Sequence, residues 1–534
     1  MKRLSGEPLS LVLGLTTLVV VLTVYIPQAI SGTILVPGDY ATIQDAVHAA
    51  VNGDEIVVSP GIYYENISIP SKDITIRSTN PDDIDVVRNT IIDGNRAHSV
   101  VTFTGNSACP ALRGFTVRNG QSISGGGIDC HALASPTIAD CIITGNESTG
   151  VNGIDGGGGI YCYYKCNPNI ERCIISNNTA NNNGGGIYCT ASCSPKIIRC
   201  TISGNTALGN VYGGGGIYCG YFCTSSIVNC IITENYTLAY GGGIYTKTDS
   251  AAAKTEIVNC TVTLNSADGG GKNNGGGLFC AYKGTTATNC IFIDNSKGEI
   301  GYSGNYTVAP TVTYSAVKGG YFSADNSNID LVDPLFIAPG PGGDYRLRAG
   351  SPCIDKGTNV DAPRYDLNGE IRPRDGDADG LPVTDMGAYE YIPFTLIEMD
   401  QFSAAASGDH ITITFSTLSE IDTAGFYIWR TQAGCEEYTR LNPVIIESIG
   451  GPALHAEYSY DDDTASPSVM YYYQLEEVDN RGLSTFFGPI KPVSLQADAP
   501  RVDYLWGYGQ LKDLQSMLWG IQYPAHNLFS YYLF

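Results

Sequence analysis

Between residues 33 and 320, apolar residues recur in short runs that alternate with polar ones, and Gly, Asn or Pro separates one run from the next. Ile187-Tyr-Cys189 and Ile197-Ile-Arg-Cys-Thr-Ile202 are typical. Alternation at period two predicts strands with one buried face, and the separators predict turns. No run inside a repeat keeps a helical period. The sequence Gly-Gly-Gly-Ile-x-Cys stands at Gly125–Cys130, Gly157–Cys162, Gly184–Cys189 and Gly214–Cys219, with variants at Gly241–Thr246 and Gly275–Cys280. A second cysteine-led strand follows each, at Cys141, Cys173, Cys200, Cys230, Cys260 and Cys290, in steps of 32, 27, 30, 30 and 30 residues. Such a repeat cannot bury its apolar face alone. Stacked coils can, with neighbouring strands about 4.8 Å apart. The pattern predicts an all-β solenoid, a parallel β-helix.

Ala41-Thr-Ile-Gln-Asp-Ala-Val-His-Ala-Ala50 breaks the pattern and predicts a short amphipathic helix with Ile43, Val47 and Ala50 on one side. Glu55-Ile-Val-Val58 and Pro60-Gly-Ile-Tyr-Tyr-Glu-Asn-Ile67 follow it. This entry segment and repeats such as Cys200–Cys219 resemble right-handed parallel β-helix proteins of the pectin-lyase-like superfamily over residues 33–320. The resemblance implies that the helix caps the open end of the stack, where strand edges would otherwise be exposed. Residues 321–393 carry Asp333-Pro-Leu-Phe336, Gly350-Ser-Pro-Cys-Ile-Asp355 and Asp385-Met-Gly-Ala-Tyr-Glu390, and resemble the segment that closes secreted β-helix proteins of the choice-of-anchor type. Residues 394–495 lose the Gly/Asn richness and alternate like antiparallel strands. They predict a β-sandwich resembling a fibronectin type III module, with Trp429 and Tyr473 in its core. Residues 496–534 form an aromatic-rich tail with no assigned role.

The N-terminus has a basic start, an apolar run over Leu11–Ile26, and small residues up to Gly32. It reads as a secretory signal peptide over residues 1–31. The chain is therefore expected outside the cytoplasm, secreted or attached to the outer cell surface. Lys+Arg 30 against Asp+Glu 53 gives a net charge of −23, which excludes a nucleic-acid partner. Of the 17 cysteines, most recur at inward positions of the repeats, while Cys353 and Cys435 stand alone. The recurring ones read as buried thiols acting as small hydrophobes, although adjacent coils bring Cα atoms within disulfide range.

Three groups of residues carry candidate chemistry. Tyr161, Tyr188, Tyr218, Tyr245 and Phe279 alternate with the inward cysteines and form an outward aromatic column. That column is either a stacking platform for an extracellular polysaccharide or cell-surface glycan, or cross-coil packing covered by adjoining loops. The residue before each second cysteine forms another column: Asp140, Arg172, Arg199, Asn229, Asn259 and Asn289. Asn suits a left-handed turn residue, and Arg172 and Arg199 interrupt the series. The superfamily resemblance implies lyase chemistry there: Arg172, Arg199 or Lys196 as the base that removes the proton α to a uronate carboxylate, with calcium. The segments marking pectate lyases, the Gly-His-Gly of the hydrolases and the later motifs of the pectin methylesterases are absent. Finally, Asp375-Gly-Asp377-Ala-Asp379-Gly380 has the opening spacing of a calcium loop, with Asp385 as a further ligand candidate. The leading expectation is a polysaccharide-binding or adhesive surface protein. A lyase and a non-binding structural spacer are the alternatives.

Overall fold

The computed structural model describes residues 31–505 except 106–108, 132, 248–252, 270–273, 304–307, 323–326, 378, 393–396, 421–422, 436, 452–454, 467–468, 480–483, 491–492 and 495–501. The expected signal segment and nearly all of the aromatic tail lie outside the described residues.

The repeats coil into a right-handed parallel β-helix with two sheets of 11 strands, one of 9 and a narrow one of 6. One coil shows the path. Lys196–Ile198 lies in the first sheet and Thr201–Ser203 in the second. Thr206–Ala207 lies in the narrow sheet, and Ile217–Cys219 in the nine-stranded sheet. Every pairing is parallel and in register, so like residues stack on like: Ile160 on Ile187 on Ile217, and Cys162 on Cys189 on Cys219. Thr246 takes the cysteine position in the next coil before Cys280 resumes it. These residues line one continuous core.

All 17 cysteines are free, and only Cys109 and Cys435 are exposed. The second column donates its thiols to carbonyls of the neighbouring coil, as Cys200 Sγ does to Ile170 O at 3.5 Å. Burial pushes Cys219 and Cys280 up to about 11, so both stay protonated at neutral pH and without thiolate reactivity.

An internal ladder of asparagines runs beside the thiols. The Nδ2 of Asn178 donates to Asn205 Oδ1 (3.0 Å), that of Asn205 to Asn235 Oδ1 (2.9 Å), and that of Asn235 to Asn265 Oδ1 (2.9 Å). Each amide also satisfies a backbone carbonyl, as Asn205 does Ile175 O. The triple-glycine segments let the chain pass this ladder. A Cβ on Gly186 would lie 2.7 Å from Gly216 O and 3.0 Å from Asn205 Nδ2.

The helix at the open end spans Ile43–Ala49, with Thr42 as N-cap, and buries Ile43, Ala46 and Val47 on the first coil. Both of its ends are held by the coils. Glu65 accepts from the N–H groups of Ile43 and Gln44, each at 2.9 Å, and Lys72 Nζ donates to the carbonyls of Val47, His48 and Ala50. A second short helix, Ile84–Asn89, was not expected from the pattern. At the other end of the chain, two antiparallel sheets of four and five strands enclose Phe402, Ile413, Phe415, Phe426, Ile428 and Tyr473. Trp429 is not in that core. Ile428 takes the inward position, and the Trp429 indole N–H donates to Glu476 Oε2 at 2.6 Å on the outer side.

Candidate functional site

The arginine column comes first. Asp140, Arg172, Arg199, Asn229, Asn259 and Asn289 all have φ between 51° and 57°, so the two arginines occupy the same one-residue left-handed turn as the others and do not interrupt it. Arg172 binds Asp140 at 2.6 and 2.9 Å and Glu171 at 2.8 Å. Arg199 pairs with Glu171, and Arg113 with Asp140. Asp140 holds the Arg172 guanidinium above its ordinary range, against a smaller desolvation effect. A base must lose a proton to act, and this environment stabilises the charged form. The structure thus places Arg172 and Arg199, the two candidate bases, in an ion-pair ladder with Asp140 and Glu171. Lys196 is exposed on the first sheet, in register with Asn169 and Ser226.

Of the two roles expected for the outward tyrosines, the structure shows cross-coil packing covered by adjoining loops. Tyr161, Tyr188, Tyr218, Tyr245 and Phe279 stack face to face along the nine-stranded sheet, with ring centroids 4.7 to 5.6 Å apart. They are buried, at 0 to 7% exposure. Loops fold over them: the Tyr161 hydroxyl donates to Ile154 O and that of Tyr188 to Gly153 O, while Tyr212 and Tyr240 pack on the flank. No ring face is open to a sugar, so these five residues are a second core and not a binding platform.

The accessible aromatic surface lies one turn further along each coil, where the nine-stranded sheet passes into the first sheet. Tyr164 is 51% exposed, Tyr221 37%, Phe222 53% and Tyr282 43%. Lys165 and Lys283 are exposed beside them. Lys247 Nζ sits 4.1 and 4.0 Å from the ring centroids of Tyr212 and Tyr221. Tyr164, Lys165 and Phe222 all have left-handed backbones, which turn their side chains away from the core. The signal was present in the sequence as aromatic and lysine residues directly after the first cysteine of a repeat: Cys162-Tyr-Tyr-Lys165, Cys219-Gly-Tyr-Phe222 and Cys280-Ala-Tyr-Lys283.

Of the four aspartates expected to bind metal, Asp375 and Asp377 converge, and the third member of their group is Asp355. One carboxylate oxygen from each lies within 4.8 Å of the others. Asp379 instead accepts from Leu381 N at 2.8 Å. Asp385 is buried behind the group, accepting from Asp355 N at 2.7 Å and from Tyr391 N. The loop approaches Asp355 closely because residue 376 is glycine; a Cβ there would lie 2.6 Å from Ile354.

A family model described as "Right handed beta helix region" matches residues 151–272. With the coil topology, this makes the stacked coils a right-handed parallel β-helix. No curated protein sequence matches it. Similar solved structures include pectin methylesterase PemA from Erwinia chrysanthemi, 14% identical over 56% of this chain and 92% of that one, with a TM-score of 0.28. A pectin methylesterase variant in complex with a hexasaccharide is 12% identical over 56% and 92%, with a TM-score of 0.29. An alginate lyase is 11% identical over 71% of this chain and 60% of that one, with a TM-score of 0.16. Likenesses of this size carry no argument about chemistry.

Proposed function

We propose that the protein is a secreted, surface-attached β-helix that binds an acidic polysaccharide along the edge bearing Tyr164, Tyr221, Phe222 and Tyr282. One observation carries the reading: exposed aromatic rings recur on this edge at every second coil, with Lys165 and Lys283 exposed beside them, on a chain that is otherwise strongly acidic. Aromatic groups left open in a solvated row favour a ligand with apolar faces. The exposed Lys165 and Lys283 favour one that carries negative charge. Two coil steps separate Tyr164 from Phe222, and two more separate Phe222 from Tyr282, roughly 10 Å each. The rings thus form a regular row suited to a repeating polymer. The C-terminal sheets are read as a fibronectin type III-like spacer, and the tail beyond them as part of the attachment. A lyase is disfavoured because Asp140 holds the Arg172 guanidinium charged and Arg199 is engaged by Glu171.

The test is a glycan array with the mature protein, followed by titration of any bound glycan. Combined replacement of Tyr164, Phe222 and Tyr282 by Ala is expected to weaken binding at least tenfold, and binding is expected to fall with added salt. Absence of binding to every glycan would leave only a structural spacer. Undiminished binding by the triple variant would move the site elsewhere.

A further inference from the structure

We propose that Asp355, Asp375 and Asp377 form a calcium site that clamps the acidic loop onto the segment closing the β-helix. The closing segment packs Leu331, Phe336, Leu347, Ile354, Met386 and Tyr391 against Ile231, Ile291 and Ile293 of the coils. Asp355 leaves this cluster just after Ile354 and is 7% exposed. Its Oδ2 accepts from the N–H groups of Gly376 and Asp377, at 2.8 and 2.7 Å. Its Oδ1 is buried and has no hydrogen-bond partner, and the nearby Val383 N–H donates to Arg374 O at 3.2 Å. A buried carboxylate oxygen left unmatched is costly, and a cation removes the cost.

Charge points the same way. Three carboxylates meet here, and Lys356 lies 3.6 Å from Asp377 in an exposed pair. The ligands are all oxygen, which selects a hard cation. They lie on a loop and a turn, so they can adapt to the larger, irregular shell of calcium more easily than to the tight octahedron of magnesium. Three carboxylates without a dedicated cage resemble extracellular calcium modules, whose dissociation constants are roughly 10⁻⁴–10⁻³ M. This site does not depend on the glycan reading.

The experiment is calorimetric titration of the full mature chain, stripped with chelator, using calcium chloride alone and magnesium chloride in parallel. Terbium luminescence sensitised by Tyr391 gives a second readout, since that ring lies against Gly376. A saturable calcium heat is expected, with a melting temperature that climbs with calcium. Asp377→Asn is expected to weaken calcium at least tenfold. Because Asp377 is exposed, this variant should keep the calcium-free melting temperature, which separates loss of metal from loss of fold. Asp355→Asn should weaken it as much, and Asp379→Asn by no more than about threefold. The proposal is overturned if the wild type gives no saturable heat at millimolar calcium, if magnesium binds equally well, or if Asp377→Asn and Asp355→Asn bind like the wild type.

Discussion

Glu299 ends the asparagine ladder, and it makes the β-helix less stable as pH rises. Its carboxylate stands where a further asparagine would be, taking Asn295 Nδ2 at 2.5 Å on Oε2 and Asn295 N at 3.3 Å. Burial raises its pKa from the ordinary 4.5 to about 7, and Asp294 adds to the rise. Hydrogen bonds from Asn295 and the charge of Lys318 oppose it. Between those two pH values the folded protein keeps a proton that the unfolded chain has released. Stability from this group is therefore greatest below pH 4.5 and is lost as pH climbs to about 7. The gap, at about 1.4 kcal/mol per pH unit, amounts to about 3 kcal/mol. Glu299→Gln keeps the shape and both hydrogen-bonding roles without the charge. The assay is urea unfolding of the β-helix, followed by circular dichroism, for wild type and variant from pH 4.5 to pH 8. The variant should match the wild type near pH 4.5 and exceed it by up to about 3 kcal/mol at pH 8. A difference that stays flat across this range, or grows in the opposite direction, would refute the argument.

Asn205→Ala should cost roughly 3 kcal/mol or more in the same unfolding assay, because it strands the amide of Asn178 and the carbonyl of Ile175 inside the coils. Lys72→Met should lower stability by about 1–2 kcal/mol by removing three bonds to helix-end carbonyls, with the loss appearing as faster hydrogen exchange over residues 43–50. Tyr218→Ala should cost about 3–5 kcal/mol by opening a cavity in the stacked column, while the protein that remains folded binds glycan normally. Tyr164→Ala should do the reverse, changing stability by less than about 0.5 kcal/mol and weakening binding.

The solenoid was legible because its period is carried by many equivalent residues, and the capping helix because its apolar spacing differs from theirs. The asparagine ladder was missed although Asn146, Asn178, Asn205, Asn235, Asn265 and Asn295 each stand five residues after a second cysteine. Strict alternation misplaces them. The residue before each one is left-handed (Gly145, Asn177, Gly204, Glu234, Leu264, Asp294), which resets which side of the chain faces inward. A polar residue at such a corner also looks like an ordinary turn former. Alternation placed the tyrosines on the correct side of the sheet but could not decide between an open column and one covered by loops. Asp355 was passed over because it is distant in sequence from Asp375. Only the packing of the closing segment on the coils brings the two together.

The left-handed turn column explains why arginine gives way to asparagine along the stack. At all six positions the backbone demand is the same, so the turn alone does not select the residue. What differs is the neighbour outside. Asn289 Oδ1 accepts from Thr358 N at 2.8 Å and its Nδ2 donates to Thr358 O at 2.9 Å, while Asn259 Nδ2 donates to Asp385 O at 2.9 Å and Asn229 Nδ2 to Tyr365 O. The closing segment lies against these three coils, and a short amide can pair with its backbone where a guanidinium could not be desolvated without a carboxylate. Near Asp140 and Arg172 no such cover is seen among the described residues, and long charged side chains satisfy one another across the coil step instead. Arg199 marks the boundary, with Gly369 of the closing segment beside its guanidinium. The same column is thus a solvated ion-pair ladder at one end and a docking strip at the other. At its solvated end Asp140, the partner shared by Arg113 and Arg172, also holds the Arg172 guanidinium in its charged form.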